Sequence, residues 1–237
     1  MNVNANHYQL HYHPLFLNDP VLFMLLKNKQ VQLWARRLHV YVSMALLLVV
    51  LFFSITGITL NRPDWFVSSS PDIKNTTLSV PNDVLFSLDE KHHVLWNKPN
   101  TVALLDYLNQ HTNLSGTPSN VDIFTDVEDG ELVEGELSLN YKGPGYNASV
   151  YIDLTTGIAD IESSNYGVVA LLNDLHKGRN SGEVWKAFID ITALLMVFFV
   201  LTGVCLILPK KRTLMTSMKW MAFGSSITLA LYFIAVP

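Results

Sequence analysis

Residues 40–60 read VYVSMALLLVVLFFSITGITL, an apolar run with no charged side chain. At about 1.5 Å of rise per residue, a helix of this length covers the roughly 30 Å hydrocarbon core of a bilayer. Phe188 to Leu208 and Leu214 to Val236 have comparable length and character. The first run follows a long N-terminal tail and ends in Asn61-Arg62-Pro63 with no small-residue cleavage site, so it reads as an anchor and not as a secretion signal. The sequence therefore predicts a membrane α-helical protein with three transmembrane helices and an inserted polar domain between the first two.

Composition agrees with that mixture. With 49% hydrophobic and 15% charged residues, the chain is too apolar for an ordinary soluble domain and too polar for a wholly embedded one. The expected organisation is a cytoplasmic tail and interfacial helix over 1–38, a first span over 39–60 and an inserted domain over 61–175. A linker and second span over 176–208, a turn over 209–213 and a third span over 214–237 follow. Orientation comes from the basic residues: Lys27, Lys29, Arg36 and Arg37 precede the first span, and Lys210, Lys211 and Arg212 join the second to the third. By the positive-inside rule both segments are cytoplasmic, which sends the inserted domain and the C-terminus outside. The stretch from Asn61 to Asp190 holds 19 of the 20 carboxylates against 8 Lys and Arg, so the insert is acidic and nucleic-acid binding is not expected.

The insert reads as α+β. Thr101 to Gln110 places Val102, Leu105 and Leu108 at helical spacing after a Pro99-Asn100 start signal. Gly135 to Tyr141 and Asn147 to Leu154 alternate as strands around Lys142-Gly143-Pro144-Gly145-Tyr146, and Thr155-Thr156-Gly157 turns into a further strand. The single cysteine, Cys205, lies in an apolar run and has no intrachain partner for a disulfide. Three groups of residues offer metal chemistry and have blander readings: His7, His11 and His13 as part of a polar tail, His92, His93 and His111 as surface histidines, and Asp122, Asp126, Glu128, Asp129, Glu131, Glu134 and Glu136 as a solvated acidic face.

An internal echo carries more weight. Leu38-His39 precedes a span ending Ile55-Thr56-Gly57, and Leu175-His176 precedes one ending Leu201-Thr202-Gly203. Because the spans run in opposite directions, one histidine falls at the inner membrane face and the other at the outer face. Imidazole is a good axial ligand for haem iron, and ionisable groups at membrane depth are costly enough to invite a functional reading. A span separates the two faces by roughly 30 Å, so His39 and His176 of one chain cannot share an iron. If both are ligands, a twofold dimer pairing each histidine with its own copy is the natural solution, with one haem near each face. Arg36 and Arg37 inside, and Lys177 and Arg179 outside, are candidates to neutralise haem propionates or, more simply, topology signals. Phe52, Phe53, Phe198 and Phe199 lie near mid-membrane, where they face lipid or pack beside a cofactor.

Arg37-Leu38-His39 before a span ending in Thr-Gly resembles the PepSY-associated transmembrane family. So does Asn173-Asp174-Leu175-His176-Lys177-Gly178-Arg179, with Gly182, Trp185 and Asp190, before a second such span. The short three-span layout is similar to that of the VciB-type bacterial iron reductases. The resemblance covers Arg36 to Pro237 and implies a PepSY-like periplasmic domain on a bacterial inner-membrane cytochrome containing haem b. It further implies His39 and His176 as the haem iron ligands, electrons from a cytoplasmic or membrane donor, and ferric iron or a ferric siderophore as the acceptor in iron uptake.

A reading from another class is a non-redox adaptor whose PepSY-like domain binds a periplasmic protein or peptide. It does not need paired Leu-His positions at opposite faces. A transporter subunit is disfavoured because no span carries a charge near its midpoint or a central Pro or Gly pair. Phosphate loops, HExxH and nucleophile elbows are absent from the sequence.

Overall fold

The computed structural model describes residues 20–66, 70–88 and 94–236. Three helices come first: α1 (Pro20–Lys27), α2 (Lys29–Asn61) and α3 (Pro63–Phe66). Then follow β1 (Asp72–Ser79), α4 (Asn82–Leu85), β2 (Phe86–Leu88), β3 (Val94–Pro99), α5 (Thr101–His111), β4 (Thr117–Pro118), β5 (Asp122–Glu128), β6 (Glu131–Gly143), β7 (Tyr146–Asp153) and β8 (Ile158–Asn165). The last helices are α6 (Gly167–Lys177), α7 (Gly182–Ile207) and α8 (Lys211–Ala235). The chain forms two compact units, one of the described residues up to Leu48 with those from Thr192 onward, the other Val49–Ile191.

Helices α2, α7 and α8 are long and apolar enough to cross a membrane. The first is longer than its apolar run because nothing between Lys29 and Asn61 breaks a helix: its only glycine is Gly57, and the first proline is Pro63. The basic segment expected as an interfacial helix is thus divided between α1 and the opening turns of α2. In the first unit, Gln32 Nε2 donates to Leu26 O at 2.8 Å and Cys205 O at 2.9 Å, tying α1, α2 and α7 together through one amide.

The second unit is built on a six-stranded antiparallel sheet in the order β1-β8-β7-β6-β4, with β5 also paired to β6. The two alternating segments and the helix expected from the sequence are β6, β7 and α5. Asn100 caps α5 by accepting from Ala103 N at 3.3 Å. Side chains of a strand point alternately to opposite faces. Leu137, Leu139 and Tyr141 of β6, Ala148, Val150 and Ile152 of β7, and Ala159 and Ile161 of β8 are therefore buried together. They join Leu104 and Leu108 of α5 and Leu85 of α4 in one core. Burial pushes the Tyr141 phenol above its ordinary value, which keeps the ring neutral within that core.

The β6–β7 turn is fastened to α6. Gly145 has φ +63°, and a Cβ there would lie 2.6 Å from Leu171 N and 2.8 Å from Leu171 Cα. Its N–H donates to Asp174 Oδ2 at 2.9 Å, and its carbonyl accepts from Tyr166 N at 2.9 Å. Gly145→Ala is expected to lower the melting temperature of the sheet domain, the left-handed backbone alone costing about 1–3 kcal/mol. Gly130→Ala is the control: φ is +86°, but nothing lies within 4 Å. Equal losses in a thermal melt would show that the close approach to α6 contributes nothing.

At the β7–β8 turn, the Asp153 carboxylate accepts from Thr155 Oγ1 at 2.6 Å, Thr155 N at 2.8 Å and Thr156 N at 3.3 Å. These bonds, the Thr155 hydroxyl first, hold Asp153 below its ordinary pKa of 3.8. A depressed carboxyl contributes stability that is fully present above the unfolded value and is lost as pH falls through the folded one. Thr155→Val should raise the Asp153 titration midpoint toward 3.8 when followed by carboxyl ¹³C NMR. An unmoved midpoint would assign the shift to the backbone donors alone.

Candidate functional site

Each unit contains one histidine held by a threonine on another segment. In the first unit, His39 of α2 places Nδ1 3.0 Å from Thr202 Oγ1 and 3.1 Å from Phe199 O, both on α7. The Phe199 ring stacks on the imidazole with centroids 4.3 Å apart. In the second unit, His176, in the last turn of α6, places Nδ1 2.6 Å from Thr56 Oγ1. The Phe53 ring meets that imidazole edge-on at 5.0 Å. Each constellation is a Phe-x-x-Thr-Gly segment, Phe53 to Gly57 or Phe199 to Gly203, closed around one imidazole.

The hydrogen bonds assign the tautomer of each neutral ring. Thr202 Oγ1 donates its proton to Phe199 O at 2.7 Å, and Thr56 Oγ1 donates to Phe52 O at 2.7 Å. With its one proton committed, each hydroxyl can only accept, and a carbonyl only accepts. At His39 the Phe199 carbonyl calls for a proton on Nδ1, and at His176 the Thr56 back-bond favours the same placement; in the neutral ring that leaves the lone pair on Nε2. Among the described residues neither Nε2 has a hydrogen-bond partner. This is the arrangement in which a histidine binds a metal through one nitrogen while the other is oriented by a donor–acceptor contact.

Gly203 makes room for the His39 ring, whereas a Cβ at Gly57 would meet His176 only at ordinary contact distance. A Cβ at Gly203 would lie 3.2 Å from His39 Cε1, and one at Gly57 would lie 3.9 Å from His176 Cε1. Thr56 and Thr202 are themselves buried.

Asn173, Asp174 and His176 each tie the last turns of α6 to a neighbouring segment. Thr59 Oγ1 donates to Asn173 Oδ1 at 2.6 Å, adding a second tie to the Thr56 turn of α2. Asp174 takes the Gly145 N–H. The Trp185 indole donates to Leu175 O at 2.8 Å, satisfying one of the carbonyls that a helix C-terminus leaves open. Gly178, at φ +65°, closes the helix in the left-handed conformation.

The remaining candidates are not brought together in this way. Arg37 is exposed, its guanidinium carbon 5.8 Å from the centroid of the Trp34 ring. Arg179 lines a groove with Lys142, Tyr146 and Tyr166. The acidic run from Asp122 to Glu136 lies exposed on the β5–β6 hairpin. On the same sheet, a hydrogen bond to Glu136 and the neighbouring carboxylates push the Tyr151 phenol up to about 12. No three His, Cys, Asp or Glu side chains converge on a metal position among the described residues. His111 is a surface residue that stacks on Tyr107 at 4.0 Å and places Nδ1 2.9 Å from Tyr107 O, a carbonyl that can only accept. His7, His11, His13, His92 and His93 lie outside the described residues.

Three substitutions test the site geometry. Gly203→Ala should force His39 aside by a few tenths of an ångström and destabilise the helix pair by about 1–3 kcal/mol, while Gly57→Ala should be tolerated. Thr56→Val should release His176 from the Nδ1–H tautomer, seen as altered ring ¹⁵N shifts in histidine-labelled protein. Unchanged shifts would show that the Thr56 hydroxyl does not set the tautomer.

No curated protein and no solved structure matches the chain. The family model described as PepSY_TM-like matches residues 33–237, a stretch that contains both histidine constellations, α7 and α8, all of α2 but its first turn, and the six-stranded antiparallel sheet. The chain belongs to the PepSY_TM-like family.

Proposed function

We propose that the protein is a haem b-containing transmembrane electron-transfer protein, a ferric reductase of the VciB type. It would act in a bacterial inner membrane as a homodimer, reducing ferric iron or a ferric siderophore at the periplasmic face to support iron uptake. The observation that supports this most is the pair of imidazoles with Nδ1 engaged and Nε2 unpartnered, one in each unit.

Haem, when bound, supplies a one-electron couple that can pass an electron on without proton or group transfer. His39 and His176 would be its axial ligands through Nε2, each matched by the same residue of a second chain. The residues around them orient and tune. Thr202 and Phe199 O accept the His39 Nδ1–H, and Thr56 accepts that of His176, which fixes each ring plane and makes Nε2 more basic. Phe199 and Phe53 cover the rings and keep water away. Arg37 and Arg179 would neutralise propionates. The basic residues Lys27 to Arg37 and Lys210 to Arg212 support a cytoplasmic N-terminus, with the sheet domain and C-terminus in the periplasm. The electron donor would be a cytoplasmic or membrane reductant.

The same histidine–threonine bonds would also knit helices in a non-redox adaptor whose PepSY-like domain binds a periplasmic protein or peptide, since polar pairs stabilise helix contacts in lipid. An absorption spectrum of detergent-purified protein separates the two readings. The reductase predicts a Soret band, sharp α and β bands after dithionite, and their disappearance when a ferric salt is added. His39→Ala and His176→Ala should each remove about half of the bound haem. Loss of all haem from one substitution, or of none from either, overturns the two-site arrangement. A preparation that stays colourless after haem is supplied favours the adaptor.

A further inference from the structure

A cavity of about 600 Å³ opens between the β6–β7 turn and the C-terminal end of α6. That volume is in the range of sites for small ligands. Lys142, Tyr146 and Asn147 line it from the hairpin, and Tyr166, Arg179 and Asn180 from the segments flanking α6.

Its walls are held rigidly to each other. Gly145 is in van der Waals contact with the backbone of Leu171, donates to Asp174 and accepts from Tyr166 N. On the far side, Gly178 at φ +65° and Asn180 at φ +54° turn the chain back after α6, with Arg179 N donating to Asp174 O at 2.9 Å. A left-handed non-glycine residue carries modest strain, least for asparagine.

The electrostatics of the lining point to an anion. Two cations, Lys142 and Arg179, line the cavity, and the only carboxylate there, Asp174, is already bonded to the Gly145 N–H. Neither cation forms an ion pair among the described residues. This is notable in a segment where carboxylates outnumber Lys and Arg by 19 to 8. A single phosphate would want a nest of free backbone N–H groups, and the Gly145 N–H is committed elsewhere. Two cations carried on different segments, Lys142 on β6 and Arg179 after α6, line the groove together with Tyr146, Asn147, Tyr166 and Asn180, and they suit a ligand with more than one carboxylate. The Arg179 fork can hold one of them through two parallel bonds.

We propose that this groove binds a small, freely exchanging anion bearing two or more carboxylates, held by Lys142 and Arg179. The groove is lined from the sheet domain, α6 and the segments flanking it, and it shares Arg179 with the haem reading proposed above, so the test must separate the two uses of that side chain.

Equilibrium dialysis of the full-length protein in detergent against labelled citrate tests it, with acetate as the monocarboxylate comparison. Citrate should bind saturably, weaken as salt is raised and outcompete acetate by tenfold or more. Lys142→Gln and Arg179→Gln, which act on different segments, should each weaken citrate about tenfold, while Lys98→Gln on β3 leaves it unchanged. Circular dichroism of each variant should retain the sheet signal. The proposal is overturned by the absence of saturable citrate binding, by binding that ignores both groove substitutions, or by an equal loss in Lys98→Gln, which would indicate a diffuse field. It is also overturned if citrate binds only to haem-depleted protein, because the cations would then serve cofactor propionates.

Discussion

An apolar slab offers no water to a polar side chain, so any imidazole placed there must be satisfied by a neighbouring segment of protein. This protein meets that requirement with one bond repeated: a histidine Nδ1–H given to a threonine hydroxyl whose own proton is already committed to its helix. The rest of each site follows from that bond. Gly203 lets the His39 ring approach, the phenylalanine three residues before each threonine covers the ring, and Nε2 is turned away from the contact. Replacing threonine by serine would keep the acceptor and lose the methyl group, and by valine would keep the shape and lose the acceptor. The site therefore depends on both halves of one side chain.

Much of this was legible in the amino-acid order. The three long apolar helices, the helix after Pro99-Asn100 and the two alternating strands all announce themselves through period and turn residues. So does the Leu-His, Thr-Gly echo, although the sequence does not say that each histidine is received by the Thr-Gly of the other copy. That pairing is a tertiary fact, and only the recurrence of Phe-x-x-Thr-Gly at 53–57 and 199–203 hinted at it. What escaped notice has a physical cause in each case. Strand β1, DIKNTTLS, is a polar edge strand with little buried surface, and β5 carries so many carboxylates that its alternation is hidden. Helix α6 looks like a linker because Gly167 and Gly178 bracket only eleven residues, and the boundary drawn at 175 and 176 divides it. Its helical character rests on contacts that sequence periodicity does not display, among them Thr59 to Asn173 and Trp185 to Leu175 O.

Helix α6 also explains why the segment Asn173 to Arg179 is dense in polar residues. Asn173 and His176 lie on one face, three residues apart, and both meet the Thr56 turn of α2. Asp174 faces the other way, toward the hairpin. A helix of three turns thus connects a sheet to a membrane-type helix with a separate bond for each, within a single compact unit. Changes to one face need not disturb the other.

The sheet order has a consequence for how the molecule is made. Strand β1, the first of the sheet to be synthesised, pairs among the described residues with β8 alone, the last. Closing that pair brings together the two most distant strands of the domain, and such long-range pairing is entropically slow. The polar β1 segment must therefore wait, unpaired, while the core strands β6 and β7 emerge and zip locally through a two-residue turn. Its hydrophobic side chains are Ile73 and Leu78 alone, and that scarcity, which made it hard to recognise, is what allows it to wait in water without aggregating.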